Sequence, residues 1–302
     1  MDPKNASLEM KSNGDIASDR LPVDVSVDLF SSDKIKKNED TTQNRYPSKP
    51  ELRAATAFLV FIIYLAGQAI TSIVVTLFAT IKYIVGGGDP NQKDALQGMI
   101  SDIMPEIVFA SALAGAIAFA AGSYIVRKSL KDNSPFGAAW AVGKPKVFLI
   151  SILLGGCATL IYFILSIISI QVFSITPDQK GGLLAQMALQ SGAGQFVWII
   201  FTLFIAPLVE ELLFRGILLG GLNRSFGVWW GIALSNLLFI SLHYSEAIYF
   251  WPAFIGIALL SATATRQRLT QKAIGPAVAV HFGYNLVIVG VALVAKMTGG
   301  II

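Results

Sequence analysis

The sequence predicts an all-α fold, a polytopic transmembrane bundle of about seven helices that encloses an intramembrane polar site. The 302 residues are 54% hydrophobic and only 14% charged, and their mean hydropathy is +0.63. This composition lies outside the range of soluble globular domains. Long apolar segments recur after residue 53, and the histidines lie inside them together with a cluster of charged residues.

The first 53 residues differ in character from the rest of the chain. They carry nine Lys and Arg against ten Asp and Glu, few aromatic residues and no sustained apolar periodicity. This composition predicts a disordered tail without the apolar core of a signal peptide, followed by a membrane domain over residues 54–302. The alternating residues 23–30 are interpreted as solvated linker, with contact to a membrane surface or a partner as the alternative.

Seven apolar segments follow the tail and are of the length needed to cross about 30 Å of hydrocarbon at about 1.5 Å per residue. Polar stretches and stretches with Gly and Pro separate them. The fifth and sixth are short, and Pro252 early in the sixth favours a hairpin or a kinked pair. The predicted segments are residues 55–84, 104–126, 147–174, 195–221, 228–244, 247–264 and 274–296.

Basic residues between the segments predict the orientation, because short loops rich in Lys and Arg stay on the cytoplasmic side. We therefore expect a cytoplasmic N-terminus and a C-terminus on the opposite side. The expected cytoplasmic cations are Arg127, Lys128, Lys131, Lys144, Lys146, Arg224, Arg266, Arg268 and Lys272, and the opposite side carries Lys82, Lys93, Lys180 and Lys296.

Charge and motif content exclude several classes of protein. The membrane part, residues 54–302, holds 14 of the 23 Lys and Arg and 9 of the 19 acids, so the basic excess belongs there and nucleic-acid binding is not expected. The chain lacks GxSxG, Walker A, GxGxxG and HExxH patterns. The single cysteine, Cys157, lies among apolar residues and is not expected to be a nucleophile. Ala114, Ala118 and Gly122, spaced by four, are interpreted as a helix-packing surface.

Both histidines of the chain, His243 and His281, lie inside predicted membrane segments. Asn285 follows His281 by four residues, so these two side chains share a helix face. Glu210 and the two histidines lie about 12 to 22 Å from the predicted cytoplasmic ends of their segments, at about 1.5 Å per residue. The sequence therefore predicts one polar cavity built from three helices. The alternative is that each residue makes an independent interhelical hydrogen bond.

Two adjacent glutamates, Glu210 and Glu211, point about 100° apart on a helix. Glu211 precedes Arg215 by four residues, which is the favourable order for an ion pair. A charge at the centre of a membrane helix costs about 3 kcal/mol on insertion scales, so this pair is expected to brace the helix. Glu210 is left without a local partner, and we expect its carboxylate to act as a general base.

These residues resemble three motifs of the CAAX-processing and bacteriocin-processing family of intramembrane proteases, which is related to the CAAX prenyl endopeptidases. Residues 210–215 match glutamate-glutamate-x-x-x-arginine, residues 239–243 match phenylalanine-x-x-x-histidine, and residues 281–285 match histidine-x-x-x-asparagine. The resemblance covers approximately residues 195–290. It implies an all-helical membrane fold and peptide-bond hydrolysis near the cytoplasmic half of the bilayer.

By this resemblance, Glu210 activates a water molecule, His243 holds or activates it, and His281 with Asn285 stabilises the oxyanion. Zinc is the candidate cofactor if Glu210, His243 and His281 act as ligands. A metal-free mechanism is favoured, because His281 is more useful beside Asn285 as a hydrogen-bond donor. The implied substrate is a membrane-embedded or lipidated protein or peptide, including prenylated CAAX-type C-termini. No feature of the sequence selects one substrate or an oligomeric state.

Two other classes of protein fit the same residues. A proton- or ion-coupled transporter would use Glu210 and the histidines as a relay, although no inverted repeat is visible. A bacteriocin-immunity or scaffold protein would keep the fold and leave the polar residues unused in catalysis.

Overall fold

The computed structural model describes residues 52–129, 144–175, 193–244 and 250–298. Almost all of these residues are helical and none forms a strand, which confirms the predicted all-α class. The predicted tail, up to residue 51, lies outside the described residues. The helices are α1 (Ala54–Val85), α2 (Lys93–Asp102), α3 (Met104–Ser129), α4 (Pro145–Phe173), α5 (Ala193–Phe226), α6 (Val228–Leu242), α7 (Trp251–Gln271) and α8 (Gly275–Met297).

Five of the predicted membrane segments, now α1, α3, α4, α5 and α8, are helices long and apolar enough to cross a bilayer. The other two form the 15-residue α6 and the more polar α7, which continues past the predicted end at residue 264. Thr265, Gln267 and Arg268 are buried in this extension, and hydropathy does not detect it because these side chains are polar. Helix α2 occupies a predicted polar connection.

Helix α5 changes its winding twice around the adjacent glutamates. Two π-helical turns, Phe201–Ile205 and Leu212–Leu218, flank the six-residue α-helical piece Ala206–Glu211. Pro207 has no amide hydrogen to donate, and its ring crowds the carbonyl four residues earlier, which lies in the first π-helical turn. Such turns are frequent at functional sites, so the winding of α5 indicates that the α-helical piece Ala206–Glu211 belongs to one.

Glycines let α4 and α8 approach closely. A Cβ atom on Gly155 of α4 would overlap the carbonyl oxygen of Val280, and one on Gly283 of α8 would overlap the carbonyl oxygen of Ile152. Both overlaps are with backbone atoms, which a rotamer change cannot relieve. The contact between these helices therefore depends on glycine at both positions.

Small residues also join α1 to α3. A Cβ atom on Gly67 of α1 would lie 2.7 Å from the Cβ of Ala118 and 3.1 Å from the carbonyl oxygen of Ala114. Gly122 faces Ile63, so residue numbers rise along one helix as they fall along the other, and the two helices are antiparallel. The helix-packing surface predicted on α3 is thereby confirmed, with α1 as the helix that covers it.

Cationic residues lie together at one end of the bundle, because several helices begin or end there. The amide of Ala54 at the start of α1 donates to Ser225 Oγ near the end of α5, at 2.9 Å. Gly227, with φ of 85°, then turns the chain from α5 directly into α6. Helix α8 begins at this end too, because it runs antiparallel to α5 through contacts described below. The described residues of this end include Arg53, Lys144, Lys146, Arg224, Arg266, Arg268 and Lys272 and no acidic residue.

Candidate active site

Glu210 and Glu211 occupy different environments although they are adjacent. They end the α-helical piece of α5, and their side chains leave the helix about 100° apart. The side chain of Glu210 is 19% exposed, whereas that of Glu211 is fully buried. The local winding therefore presents one carboxylate to a partly accessible space and turns the other into the bundle.

The Glu211 carboxylate binds two partners through the same oxygen. Its Oε1 accepts a hydrogen bond from Arg215 Nη1 at 3.1 Å and lies 2.9 Å from His281 Nδ1. The contact with Arg215 is the one that the sequence spacing predicts. The contact with His281 of α8 was not predicted, because no local pattern relates residues 70 positions apart.

Arg215 joins α5 to α7 as well as to Glu211. Its side chain is fully buried, and Nη2 donates to both the carbonyl oxygen and the hydroxyl of Ser261, at 3.0 and 2.9 Å. Its Nε donates to Thr265 Oγ1 at 3.4 Å. The guanidinium carbon also lies 4.3 Å from the ring centroid of Phe239 on α6, a distance suited to a cation–π contact. Arg215 therefore fixes the positions of three helices.

His281 lies between the two glutamates. While Nδ1 faces Glu211, its Nε2 lies 4.0 Å from Glu210 Oε2, which is longer than a direct hydrogen bond. Glu210 Oε2 is buried and has no hydrogen-bond partner. An ionised carboxylate only accepts hydrogen bonds, so Glu211 requires a proton on Nδ1 of His281.

His243 approaches the same region from α6. It follows the last residue of that helix and is half-buried, and its Nδ1 lies 3.0 Å from the carbonyl oxygen of Phe239. A carbonyl only accepts, so Nδ1 carries a proton in this contact. The ring of Phe239 contacts both imidazoles, because its centroid lies 4.8 Å from that of His243 and 5.9 Å from that of His281.

Asn285 lies one turn beyond His281 on α8, as the spacing predicts, but its amide group already has a partner. Its Nδ2 donates to the carbonyl oxygen of Thr202 at 2.9 Å. Thr202 belongs to the first π-helical turn of α5. Because this contact comes earlier on α5 and later on α8 than the contact of Glu211 with His281, the two helices are antiparallel.

The candidate zinc ligands lie on α5 (Glu210), at the end of α6 (His243) and on α8 (His281). Glu210 and His281 are close, but no three His, Cys, Asp or Glu among the described residues form a group that could hold a metal ion. The Nδ1 atom of His243 is occupied by its own helix carbonyl, so only Nε2 of that ring remains for a ligand bond.

Sequence reasoning missed Ser261, Thr265 and Tyr64 as residues of the site, and it considered Asn236 only as a rival carboxamide to Asn285. Asn236 on α6 accepts hydrogen bonds from the hydroxyls of Ser261 and Thr265 on α7, at 2.6 and 2.8 Å. Tyr64 of α1 is buried and interacts electrostatically with Glu210. One signal was available: Ser261 and Thr265 are polar residues spaced by four at the end of an apolar stretch, with Asn236 in the preceding segment.

Apolar helices of spanning length around buried carboxylates, a guanidinium and an imidazole define an integral membrane protein with an intramembrane polar site. Residues 192–287 match the family model described as Type II CAAX prenyl endopeptidase Rce1-like. This match includes all three motifs and confirms the family resemblance. The match supports an intramembrane protease of the CAAX type. Comparison with curated proteins and with solved structures gave no match.

Proposed function

We propose that the protein is an intramembrane endopeptidase that hydrolyses a peptide bond of a membrane-associated protein or peptide. The observation that carries this proposal is the position of His281, with one ring nitrogen on the buried Glu211 and the other 4.0 Å from the partly accessible Glu210. The family description favours a prenylated CAAX-type C-terminus as the substrate class.

Glu210 is the proposed base that activates water. Its buried Oε2 has no hydrogen-bond partner among the described residues, and the side chain as a whole is 19% exposed. A water molecule that enters from the exposed side of the carboxylate would supply the missing partner. The carboxylate takes a proton from that water while the water oxygen bonds to the scissile carbonyl carbon. The proton then passes to the amide nitrogen as the carbon–nitrogen bond breaks, which restores the carboxylate.

His243 is proposed to orient the same water. Donation from Nδ1 to its own helix carbonyl fixes the ring and leaves Nε2 as an acceptor. The ring, at the end of α6, is half-buried and contacts Phe239. Donation of one water proton to Glu210 and the other to His243 would direct a lone pair of the water at the carbonyl carbon.

His281 and Asn285 are proposed to stabilise the oxyanion. With Nδ1 protonated against Glu211, His281 donates from Nε2 only as an imidazolium. Asn285 uses one Nδ2 proton on the Thr202 carbonyl, and its second proton remains for the oxyanion.

We propose a metal-free reaction, with zinc as the alternative held by Glu210, His243 and His281. The roles of His281 as a partner of Glu211 and as a donor use both ring nitrogens. Purified active protein is expected to keep its turnover after treatment with a chelator. Turnover and metal content are measured on the same preparation. Stoichiometric zinc that is lost together with activity would contradict the metal-free reaction.

The central experiment is Glu210→Gln in purified protein reconstituted in liposomes, assayed with prenylated CAAX-type peptides. Removal of the base is expected to lower turnover by about 100- to 10,000-fold without loss of folding. Glu106→Gln, at an exposed carboxylate near the start of α3, is the matched control and is expected to retain activity. Unchanged turnover in Glu210→Gln would rule out this role.

A further inference from the structure

We infer that Asn236, Ser261 and Thr265 are positioning residues that act through Arg215 and Glu211 to orient His281. The kinetic part of this inference rests on the proposed function, whereas the spectroscopic part below does not. None of the three residues lies in the motifs that the family resemblance uses. They form one set of hydrogen bonds that begins at Asn236 on α6 and ends at His281 on α8.

The first step is the direction of the hydroxyl protons. A hydroxyl has one proton to donate, and both Ser261 and Thr265 donate it to Oδ1 of Asn236, at 2.6 and 2.8 Å. Their oxygens are then left with lone pairs only. Those lone pairs accept from Nη2 and Nε of Arg215. The bonds to Asn236 therefore hold each hydroxyl in the rotamer that places its oxygen against the guanidinium.

Several other hydroxyls among the described residues donate within their own helix. Serine and threonine in helices commonly donate to the carbonyl four residues earlier in their own helix. Ser151, Ser166 and Thr270 do so here, at 2.8, 2.8 and 2.9 Å. The carbonyl four residues before Thr265 is that of Ser261, and it instead accepts from Arg215 Nη2 at 3.0 Å. Without Asn236, the two hydroxyls would be free to rotate toward carbonyls of their own helix, which would move their oxygens relative to the guanidinium of Arg215.

Arg215 is connected to the imidazole of His281 through Glu211. The guanidinium of Arg215 donates four hydrogen bonds, which together fix its plane. The donors are Nε, Nη1 and Nη2. Glu211 Oε1 is shared between Arg215 and Nδ1 of His281, so rotation of the guanidinium moves the oxygen that holds the imidazole. A fixed ring keeps Nε2 of His281 directed toward Glu210, and small displacements of reacting groups are costly for catalysis.

A spectroscopic experiment tests the inference directly, because the chain has only two histidines. Protein labelled with ¹⁵N-histidine in detergent micelles should give an Nδ1–H signal for His281, assigned by its loss in His281→Gln. Ser261→Ala combined with Thr265→Val is expected to move this signal upfield or broaden it, because the bond to Glu211 weakens. Thr265→Ser keeps a hydroxyl at this position, so we expect the His281 signal of this variant to match that of the wild type. Ser166→Ala, which removes a hydroxyl bonded to its own helix, is the matched control.

Kinetics of the same variants separate positioning from general destabilisation. The double variant is expected to lower kcat by about 10- to 100-fold, as for other residues that orient a reacting group, and to change KM much less. Asn236→Leu is expected to give the same pattern from α6. If the double variant does not fold, Thr265→Val alone, which is nearly isosteric, provides both measurements.

The outcomes distinguish the two proposals. An altered His281 signal in a protein without peptidase activity would leave the positioning inference intact and remove the proposed function. An unaltered His281 signal in folded Thr265→Val and in the double variant would overturn the positioning inference, whatever the activity. An altered signal together with unchanged kcat would also overturn it, because the orientation of His281 would then have no effect on turnover.

Discussion

At the scale of single residues, Glu211 has a wider part in the site than its spacing from Arg215 indicates. The sequence predicts a stabilising pair, and the structure adds a 2.9 Å contact with His281 at the same carboxylate oxygen. Glu211 therefore contributes both to stability and to the orientation of a proposed catalytic imidazole. Loss of its charge is expected to reduce stability and turnover together.

Glu211→Gln and Arg215→Gln are each expected to lower the free energy of unfolding by about 3 to 5 kcal/mol, because each leaves a buried charge without its partner. The combined variant is expected to be less destabilised than the sum of the two. Chemical denaturation in mixed micelles measures all three values. Single variants as stable as the wild type would contradict the role of this pair in holding the bundle.

Asn285 distinguishes a protease from an ion pathway. Asn285→Ala is expected to lower kcat by about 100- to 1,000-fold and to alter substrate affinity much less, since an oxyanion donor acts on charge that develops in the transition state. Asn285→Asp is expected to be more harmful, because a carboxylate would face the oxyanion. The loss of the bond to the Thr202 carbonyl is a structural side effect, which thermal melting measures separately.

A transporter would respond in the opposite way to Asn285→Asp. An added carboxylate in a cation pathway would preserve or increase ion binding. Enhanced cation flux in liposomes, together with no cleavage of a broad peptide library by the wild type, would replace the protease proposal with an ion pathway through Glu210 and the histidines.

At the scale of secondary-structure elements, the contact of α4 with α8 positions His281 and Asn285 against α5. Gly283→Ala is expected to lower the free energy of unfolding by about 1 to 3 kcal/mol, because the new Cβ overlaps the backbone of α4. Gly155→Ala is expected to act similarly from the other side. Turnover is expected to fall in both variants because α8 moves. Peptidase assays measure turnover, and thermal melting of the same samples measures stability.

Gly290→Ala is the matched control for this contact. It lies on α8, and its added Cβ would have no atom within 4 Å. Replacement of glycine by alanine in a helix interior is otherwise stabilising, so this variant is expected to equal or exceed the wild type in stability. Equal losses in Gly283→Ala and Gly290→Ala would show that the helix contact is not the cause.

At the scale of the whole molecule, the charge distribution predicts the orientation in the membrane. The end where α1, α6 and α8 begin carries cations and no acid among the described residues. The other end of the bundle carries the four acidic residues that the described chain has outside α5. They are Asp89, Asp94, Asp102 and Glu106. We propose that the cationic end faces the cytoplasm, with the N-terminus on that side and the C-terminus opposite.

Labelling of single cysteines tests this orientation. In a Cys157→Ser background, a membrane-impermeant maleimide added to intact cells is expected to label Asn91→Cys, between α1 and α2, and to leave Gln271→Cys, at the end of α7, unlabelled. Both positions are exposed, so accessibility to solvent is matched. The reverse pattern would invert the proposed orientation.

The sequence by itself determined the features that depend on neighbouring residues. Apolar segments of spanning length predict the helices, because a chain in lipid must satisfy its backbone hydrogen bonds within each segment. A spacing of four places Glu211 beside Arg215 and Asn285 one turn after His281, because both pairs lie on single helices. The family resemblance followed from the same short motifs. The roles assigned to Glu210, His243, His281 and Asn285 stay predictions.

Only the tertiary structure decided which helix faces meet and at what height. A shift of one helix by a single turn displaces its side chains by about 5.4 Å, more than the length of a hydrogen bond, so hydropathy cannot pair Glu211 with His281 or Thr202 with Asn285. Those pairs follow from the close approach of α4 to α8 at Gly155 and Gly283 and from the π-helical turns around the glutamates. The hydrogen bonds of Asn236 with α7 arise in the same way, because long-range packing fixes the rotation of each helix.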